Sequence, residues 1–399
     1  MRVLWIGEYT TPQLMERLIS YGYRPMSITV AQKNLIEGIA KKHPIDTIGG
    51  CRLPFKYGGK TAFKGEEWTE ADGSFHSFVD LITLPYIELL YKTKKLKTAV
   101  RKWAKEYADE KCCVIIYGLH SPYLKCAHVL KKYVKDLMIT CIVPDLPEYY
   151  DFHPSRLKKV LKKFDQKIID REMKNCNKFI LFADTMNEKL NIPKDKYIVM
   201  EGCVNCESES RGFGGKKDST KTVLLYSGSL NYGYGIDKLL AAFEKIKSPN
   251  FELKLIGSGS MVNTIKAAAE KDARINYVGY VSDREILREY QRKADILLCM
   301  IPPENVATKY CFPSKLFEYM ISGNPTVAFR LKGVGEEYYN YITTFVDDTP
   351  EGIANTIIRL ASLGDDECAA IGKKAKEFIV NNKNHYIQGR KVLDYATKE

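Results

Sequence analysis

The stretch Lys309-Tyr310-Cys311-Phe312-Pro313-Ser314-Lys315-Leu316-Phe317-Glu318-Tyr319-Met320-Ile321-Ser322-Gly323-Asn324-Pro325 carries its own punctuation. Pro313 suits the first helical position, Gly323 suits the left-handed position just past a helix end, and Pro325 forbids continuation. The spacing predicts a helix of about ten residues. It follows the apolar run Ile296 to Met300 and precedes Thr326 to Phe329, both of which read as strands. Strand, helix, strand is the repeating unit of a parallel sheet covered by helices.

The same rhythm extends in both directions. Towards the C-terminal side of the chain, strands are expected at Val223 to Tyr226, Leu253 to Ile256, Ile275 to Val278 and Thr343 to Val346. In the first half they are expected at Val3 to Ile6, Met26 to Val30, Val114 to Tyr117, Ile139 to Val143, Lys178 to Phe182 and Tyr197 to Met200. Cys51 to Ser77, rich in Gly, Lys and Glu, reads as a loop over a ligand cleft. Residues 206–220 are polar and glycine-rich, a linker. The fold class is therefore α/β, two doubly wound Rossmann-like domains facing across a cleft, with bounds 1–205 and 221–370 and a helical segment 371–399.

With 399 residues, 45% hydrophobic and 28% charged, the composition excludes fibrous and disordered classes. No apolar run approaches the roughly 20 residues needed to cross a bilayer. The start Met1-Arg2-Val3-Leu4-Trp5-Ile6-Gly7-Glu8 reads as a strand, not a signal peptide, so a cytoplasmic location is expected. The eleven cysteines are scattered; Cys203 and Cys206 form a CxxC without a second pair, which is too little for a tetrahedral zinc site. No metal is expected.

The net charge of +12 is one-sided. Residues 1–200 hold 34 Lys+Arg against 23 Asp+Glu, the remainder 27 against 26. Tyr91 to Lys105 contains Lys92, Lys94, Lys95, Lys97, Arg101, Lys102 and Lys105 and no acid. From Ser155 to Lys174, Leu157, Val160, Leu161, Phe164 and Ile168 share a helical face opposite Lys158, Lys159, Lys162 and Lys163. Such a helix is either a solvated face on a core or a surface resting on anionic lipid at the inner face of a membrane. Nucleic acid is not expected as a partner, because the bases lie on helix faces outside any nucleic-acid module.

At the start of the Pro313 helix, backbone N–H groups, Ser314 and Lys315 make an anion site that a diphosphate fits. Glu318, three residues on, can accept hydrogen bonds from a ribose diol. Spacing alone equally allows Lys315 and Glu318 to be a surface helical pair.

The segment resembles the signature of retaining glycosyltransferases of the GT-B fold, the large nucleotide-sugar family of capsule, exopolysaccharide and glycolipid synthesis. Tyr226-Ser227-Gly228-Ser229-Leu230 with Gly235-Ile236-Asp237, Leu255-Ile256-Gly257-Ser258-Gly259, and Val278-Gly279-Tyr280-Val281 resemble the family's donor-domain landmarks in order. The resemblance covers about residues 220 to 360. It implies that Glu318 holds the ribose and that Pro313, Ser314 and Lys315 face the diphosphate. Gly7, Ser229, Tyr234, Gly257, Tyr280 and Tyr310 complete the implied donor site. Two departures stand out. Tyr310 occupies the place of the family's first glutamate, and Ser229 and Tyr234 stand near the places of a phosphate-binding Arg and Lys, so Lys315, with Lys309 or Arg330, is left to neutralise the diphosphate. Tyr117-Gly118-Leu119-His120-Ser121-Pro122 is similar to the family's His-containing turn, and Val143-Pro144-Asp145 places a carboxylate after the next strand.

What the resemblance implies is transfer of a sugar from a nucleotide-sugar donor to a glycan or polyprenyl-linked acceptor, with no cofactor and no metal, His120 contacting sugar or acceptor and Asp145 orienting the acceptor hydroxyl. A nucleotide-sugar epimerase, a phosphorylase or a non-catalytic nucleotide-sugar-binding subunit are the alternatives. The segment 371–399 is implied to brace the first domain.

Overall fold

The computed structural model describes residues 1–25, 27–85, 87–149, 156–209 and 221–398, with backbone alone at 156–159 and 208–209. The chain divides into two compact units. The first comprises Met1–Cys203 and His385–Glu399, the second Val204–Asn384. The linker expected at 206–220 begins as a short helix, Cys206–Glu209, and its remainder lies outside the described residues.

In the first unit an eight-stranded sheet runs in the order Tyr197–Val199, Lys178–Leu181, Asp136–Val143, Lys111–Tyr117, Arg2–Ile6, Asp46–Gly49, Phe75–Phe78, Glu66–Thr69. All neighbours pair in parallel except the last, an antiparallel edge. The central strands are continuous apolar runs, as expected where helices cover both faces.

Two expectations are corrected. The strand expected from Met26 to Val30 is a helix, Ser27–Ala40; Met26 itself lies outside the described residues. Ile28, Thr29 and Val30 favour a strand locally, but Thr29, Gln32, Leu35, Ile36 and Ile39 are buried at helical spacing, and tertiary burial overrides propensity. The second strand is Asp46–Gly49, every residue of it buried. Nor is Cys51 to Ser77 simply a loop: Glu66–Thr69 pairs with Phe75–Phe78, which in turn extends the main sheet beside Asp46–Gly49. Trp68 and His76 stack across that hairpin at 5.1 Å, an aromatic cross-strand pair of the kind that stabilises an edge.

The second unit holds a six-stranded parallel sheet ordered Ile275–Gly279, Phe251–Ser258, Thr222–Ser229, Ile296–Cys299, Thr326–Ala328, Thr343–Thr344. These strands overlap all six expected in this half. The helix after Ile296–Cys299 spans Ser314–Ser322, with Pro313 just before it in extended conformation and Gly323 closing it at φ +85°.

The helix Asp365–Asn382 belongs to the second unit, and the chain re-enters the first at His385. Helix His385–Thr397 packs on Ser27–Ala40 through glycine contact: a Cβ on Gly38 would lie 1.9 Å from the His385 carbonyl oxygen. The eleven cysteines are all thiols. Among the described residues no helix is long and apolar enough to cross a membrane.

Candidate active site

In the second unit, Thr222–Ser229 and Phe251–Ser258 stay paired to their last residues, Gly228 beside Gly257 and Ser229 beside Ser258. A Cβ on Gly257, where φ is +147°, would stand 1.8 Å from the Gly228 carbonyl oxygen. Only glycine permits this approach. On its other side Gly228 makes room for Lys315, whose Cε would lie 2.5 Å from a Cβ there. The Lys315 stem is thus laid along the strand tip.

The Lys315 ammonium reaches Glu318 Oε2 at 3.3 Å. Burial by itself would lower the Lys315 pKa; the Glu318 carboxylate and then the Tyr319 oxygen outweigh it, and the group is held above the ordinary lysine value. Tyr319 fixes the helix to the sheet, its hydroxyl accepting from the Ser227 N–H at 2.9 Å and lying 3.1 Å from the Ser227 carbonyl oxygen. No side chain caps the helix start at Pro313; the Leu316 N–H bonds the Pro313 carbonyl at 2.9 Å, and the Ser314 and Lys315 N–H groups, with the partial positive charge of the helix start, remain to meet an anion beside the exposed Ser314.

Around this centre Ser229 Oγ accepts from Asn231 Nδ2 at 2.9 Å, and Tyr234 is half-buried in the following turn, its N–H bonded to the Asn231 carbonyl at 3.3 Å. Gly235 opens the next helix at φ +75°, pressed against the Met300 carbonyl oxygen. Tyr310 is buried on the turn Val306–Tyr310 with the Lys309 ammonium 5.1 Å from its ring, and Tyr280 is 63% exposed. Arg330 pairs with Glu336 and stacks on Tyr339 at 4.3 Å. The helices Arg284–Lys293 and Ser314–Ser322 enclose a pocket lined by Arg284, Arg288, Arg292, Gln291, Lys315 and Glu318. Sequence reasoning missed the arginines, although their spacing of four is legible.

In the first unit a second group of polar side chains gathers after the strand ends. A Cβ on Gly49 would fall 1.4 Å from the Gly7 carbonyl oxygen, so here too glycines bring strand tips together. Glu8 Oε2 accepts from the hydroxyls of Tyr23 at 2.9 Å and Thr29 at 3.0 Å, and the Glu8 N–H donates to Gln32 Oε1 at 2.7 Å. Lys92, one of the seven bases between Tyr91 and Lys105, is 6% exposed, with its ammonium 5.3 Å from the Tyr123 ring. Burial lowers its pKa, opposed by the Glu8 carboxylate. His120 precedes helix Ser121–Tyr133 with its ring edge-on to Tyr123 at 4.9 Å. Burial, then the Lys92 and Arg52 charges, push its pKa well below the ordinary value, so the imidazole is neutral at pH 7. Burial raises Asp145 to about 6. Glu8 and Lys92 were not singled out from sequence as site residues; only the fold places them beside one another.

The basic surface is less uniform than its sequence. Lys94 and Lys163 are exposed, Lys95 is paired with Asp80 at 2.6 Å, and the Lys162 ammonium is buried. The side chains of Lys158 and Lys159 lie outside the described residues.

Two Rossmann-like units of this kind define the GT-B fold of glycosyltransferases. Residues 221–362 match the family model described as glycosyl transferases group 1, so the second unit is a group 1 glycosyl transferase domain. Among solved structures, sucrose-phosphate synthase from Thermosynechococcus elongatus is similar at 14% identity and a TM-score of 0.66, over 98% of each chain. A structure described as trehalose-6-phosphate from E. coli bound with UDP-2-fluoro glucose is similar at 12% identity and a TM-score of 0.69, over 100% of each. Anabaena HepE in complex with UDP is similar at 12% identity and 0.63, over 99% of each. No curated protein matches the chain by sequence.

Proposed function

We propose that the chain transfers a glycosyl group, with retention, from a nucleotide-sugar donor to a glycan or polyprenyl-linked acceptor in surface polysaccharide or glycolipid assembly. The observation that carries this reading is the Lys315–Glu318 pair at an uncapped helix start, set against glycine-lined strand tips. Ser314 and Lys315 bind the diphosphate and Glu318 the ribose diol. Ser229, Tyr234, Gly257, Tyr280, Tyr310 and Pro313 belong to the same proposed donor site.

As the bond from the sugar to the diphosphate breaks, negative charge grows on the leaving oxygen. The helix N-terminus and the Lys315 ammonium stabilise it without reorganising, the largest single contribution such a site can make. Attack by an acceptor hydroxyl on the face the diphosphate leaves gives retention, and the leaving group itself can take the proton. Retention is also what one similar structure, of trehalose-6-phosphate synthase, was used to study. His120, kept neutral, contacts a sugar hydroxyl, and Asp145, with a pKa near the working range, orients the acceptor hydroxyl or serves as a modest base. The reading needs no metal and no cofactor.

Attachment to an anionic membrane surface is supported by apolar side chains exposed beside lysines. Ile87 and Leu90 are 54% and 68% exposed on the helix that carries Lys94, and Phe164 is 62% exposed next to Lys163. Co-sedimentation with phosphatidylglycerol vesicles but not phosphatidylcholine vesicles is expected; equal recovery with both removes the membrane from the reading.

The transferase itself is tested by incubating the chain with a panel of nucleotide sugars and measuring release of nucleoside diphosphate. Release from one donor, abolished in Glu318→Ala, is expected. Binding without release points to a non-catalytic subunit, and interconversion of the donor sugar without release points to an epimerase.

A further inference from the structure

Lys92 stands where its helix has reason to carry an apolar residue. In Ile87–Glu106 the buried positions are Lys92, Leu96, Val100, Trp103 and Ala104, one inward face of which Lys92 is the first member. Its stem passes Gly50, where a Cβ would lie 4.0 Å from the Lys92 Cδ. Its ammonium is thereby brought to the carboxyl ends of the parallel strands Arg2–Ile6, Asp46–Gly49 and Lys111–Tyr117, the end at which such sheets take ligands. Glu8 follows the first of these strands and His120 the third, and both are half-buried, within reach of solvent.

All three side chains keep hydrogen-bonding capacity that the described residues leave unused. The Lys92 ammonium has three N–H donors and meets no hydrogen-bond acceptor; it lies against the Tyr123 ring and feels the Glu8 carboxylate without forming an ion pair with it. Glu8 Oε2 is taken by the hydroxyls of Tyr23 and Thr29, whereas Oε1 accepts from none of the described residues. Neither ring nitrogen of His120 is bonded to them, and the ring meets Tyr123 edge-on. The other polar groups nearby are engaged: Arg52 with Glu88 at 2.9 Å, the Tyr123 hydroxyl with the Gly50 carbonyl at 2.6 Å.

A buried ammonium without acceptors is costly, so a ligand that supplies them is favoured. That ligand is not an anion, which Glu8 repels, nor a cation, which Lys92 repels. A hydroxyl group both donates and accepts. Two neighbouring hydroxyls can accept from Lys92, donate to Glu8 Oε1 and bond the neutral imidazole of His120.

We propose that Glu8 and Lys92 form a subsite that reads neighbouring hydroxyls on the terminal sugar of the acceptor, whatever carries that sugar; the inference rests on the reading in which the chain transfers a glycosyl group.

Saturation-transfer NMR of the full chain with the methyl glycosides of glucose, galactose, mannose and N-acetylglucosamine tests it. At least one is expected to bind the wild type and to lose about tenfold or more in affinity in Lys92→Met and in Glu8→Gln, where the amide oxygen stays with Tyr23 and Thr29 and a donor replaces the free acceptor. At least one monodeoxy analogue that binds the wild type weakly should lose nothing further in Lys92→Met, a coupling that altered stability alone does not produce. The unfolding midpoint of Lys92→Met should not fall, because no hydrogen bond leaves with the ammonium. Absence of binding to the wild type, or equal binding by the wild type and both variants, overturns the subsite. So does a glycoside that competes with the nucleotide sugar, which puts the hydroxyls on the donor, or inorganic phosphate that protects the wild type but not Lys92→Met from thermal unfolding. Release of nucleoside diphosphate by the wild type decides the transferase reading separately.

Discussion

The tips of the second sheet are built from glycines and the start of a helix, whereas those of the first collect charged and titratable side chains from widely separated segments. In the second unit Gly228, Gly257, Ser314, Lys315 and Glu318 need only two strand ends and one helix. In the first, Glu8, Tyr23, Lys92, His120 and Asp145 come from five segments spread over almost 140 residues, and burial shifts the last three away from their ordinary titration. The first arrangement offers fixed dipoles that suit a diphosphate. The second offers buried groups whose charge depends on one another, a setting suited to hydroxyl groups that must be held and deprotonated.

If the donor half depends on backbone approach, forcing a side chain between its turns should do the most damage. Gly235→Ala meets the Met300 carbonyl oxygen at 2.0 Å and keeps a left-handed φ, so a loss of about 3 kcal/mol or more is expected in thermal unfolding. A stable Gly235→Ala protein breaks the comparison. Lys315→Met removes the cation and leaves the helix start intact; turnover should fall about 10²-fold while folding is little changed. A fall of less than about threefold would show that the N–H groups alone carry the leaving diphosphate.

The first half should respond through charge. Glu8→Gln takes away the carboxylate that supports the buried Lys92 and is expected to cost about 1 to 3 kcal/mol at pH 7, read from denaturant unfolding. The narrowest effect, confined to one group and one pH interval, is at Asp145. Burial raises it from 3.8 to about 6, so it is harder to ionise folded than unfolded, and the wild type loses stability as the pH rises through that interval. Asp145→Asn removes the loss: its advantage should be absent below pH 3.8, grow to pH 6 and level off at about 3 kcal/mol above, and equal stability at pH 7 would refute the burial of the charge.

The same contrast explains what could be read before any coordinates. The Ser314 helix, its glycine stop and the strands around it are written in adjacent residues, so short-range rules suffice. Helix Ser27–Ala40 defeated those rules because Ile28-Thr29-Val30 favours a strand while packing against helix His385–Thr397, far along the chain, favours a helix. Lys92 looked like one more base in a basic run, and its burial depends on Glu8 and Tyr123, neither of them local. The edge hairpin Glu66–Thr69 and Phe75–Phe78 was hidden by charged residues that an exposed edge strand tolerates.

Because residues 385–397 complete the first unit while Val204–Asn384 form the second, the molecule is one domain inserted near the end of another. During synthesis the glycosyl transferase domain is therefore whole before its host has received its last helix, with Gly38 still lacking the backbone that covers it. The half that arrives first from the ribosome is the half that finishes folding last.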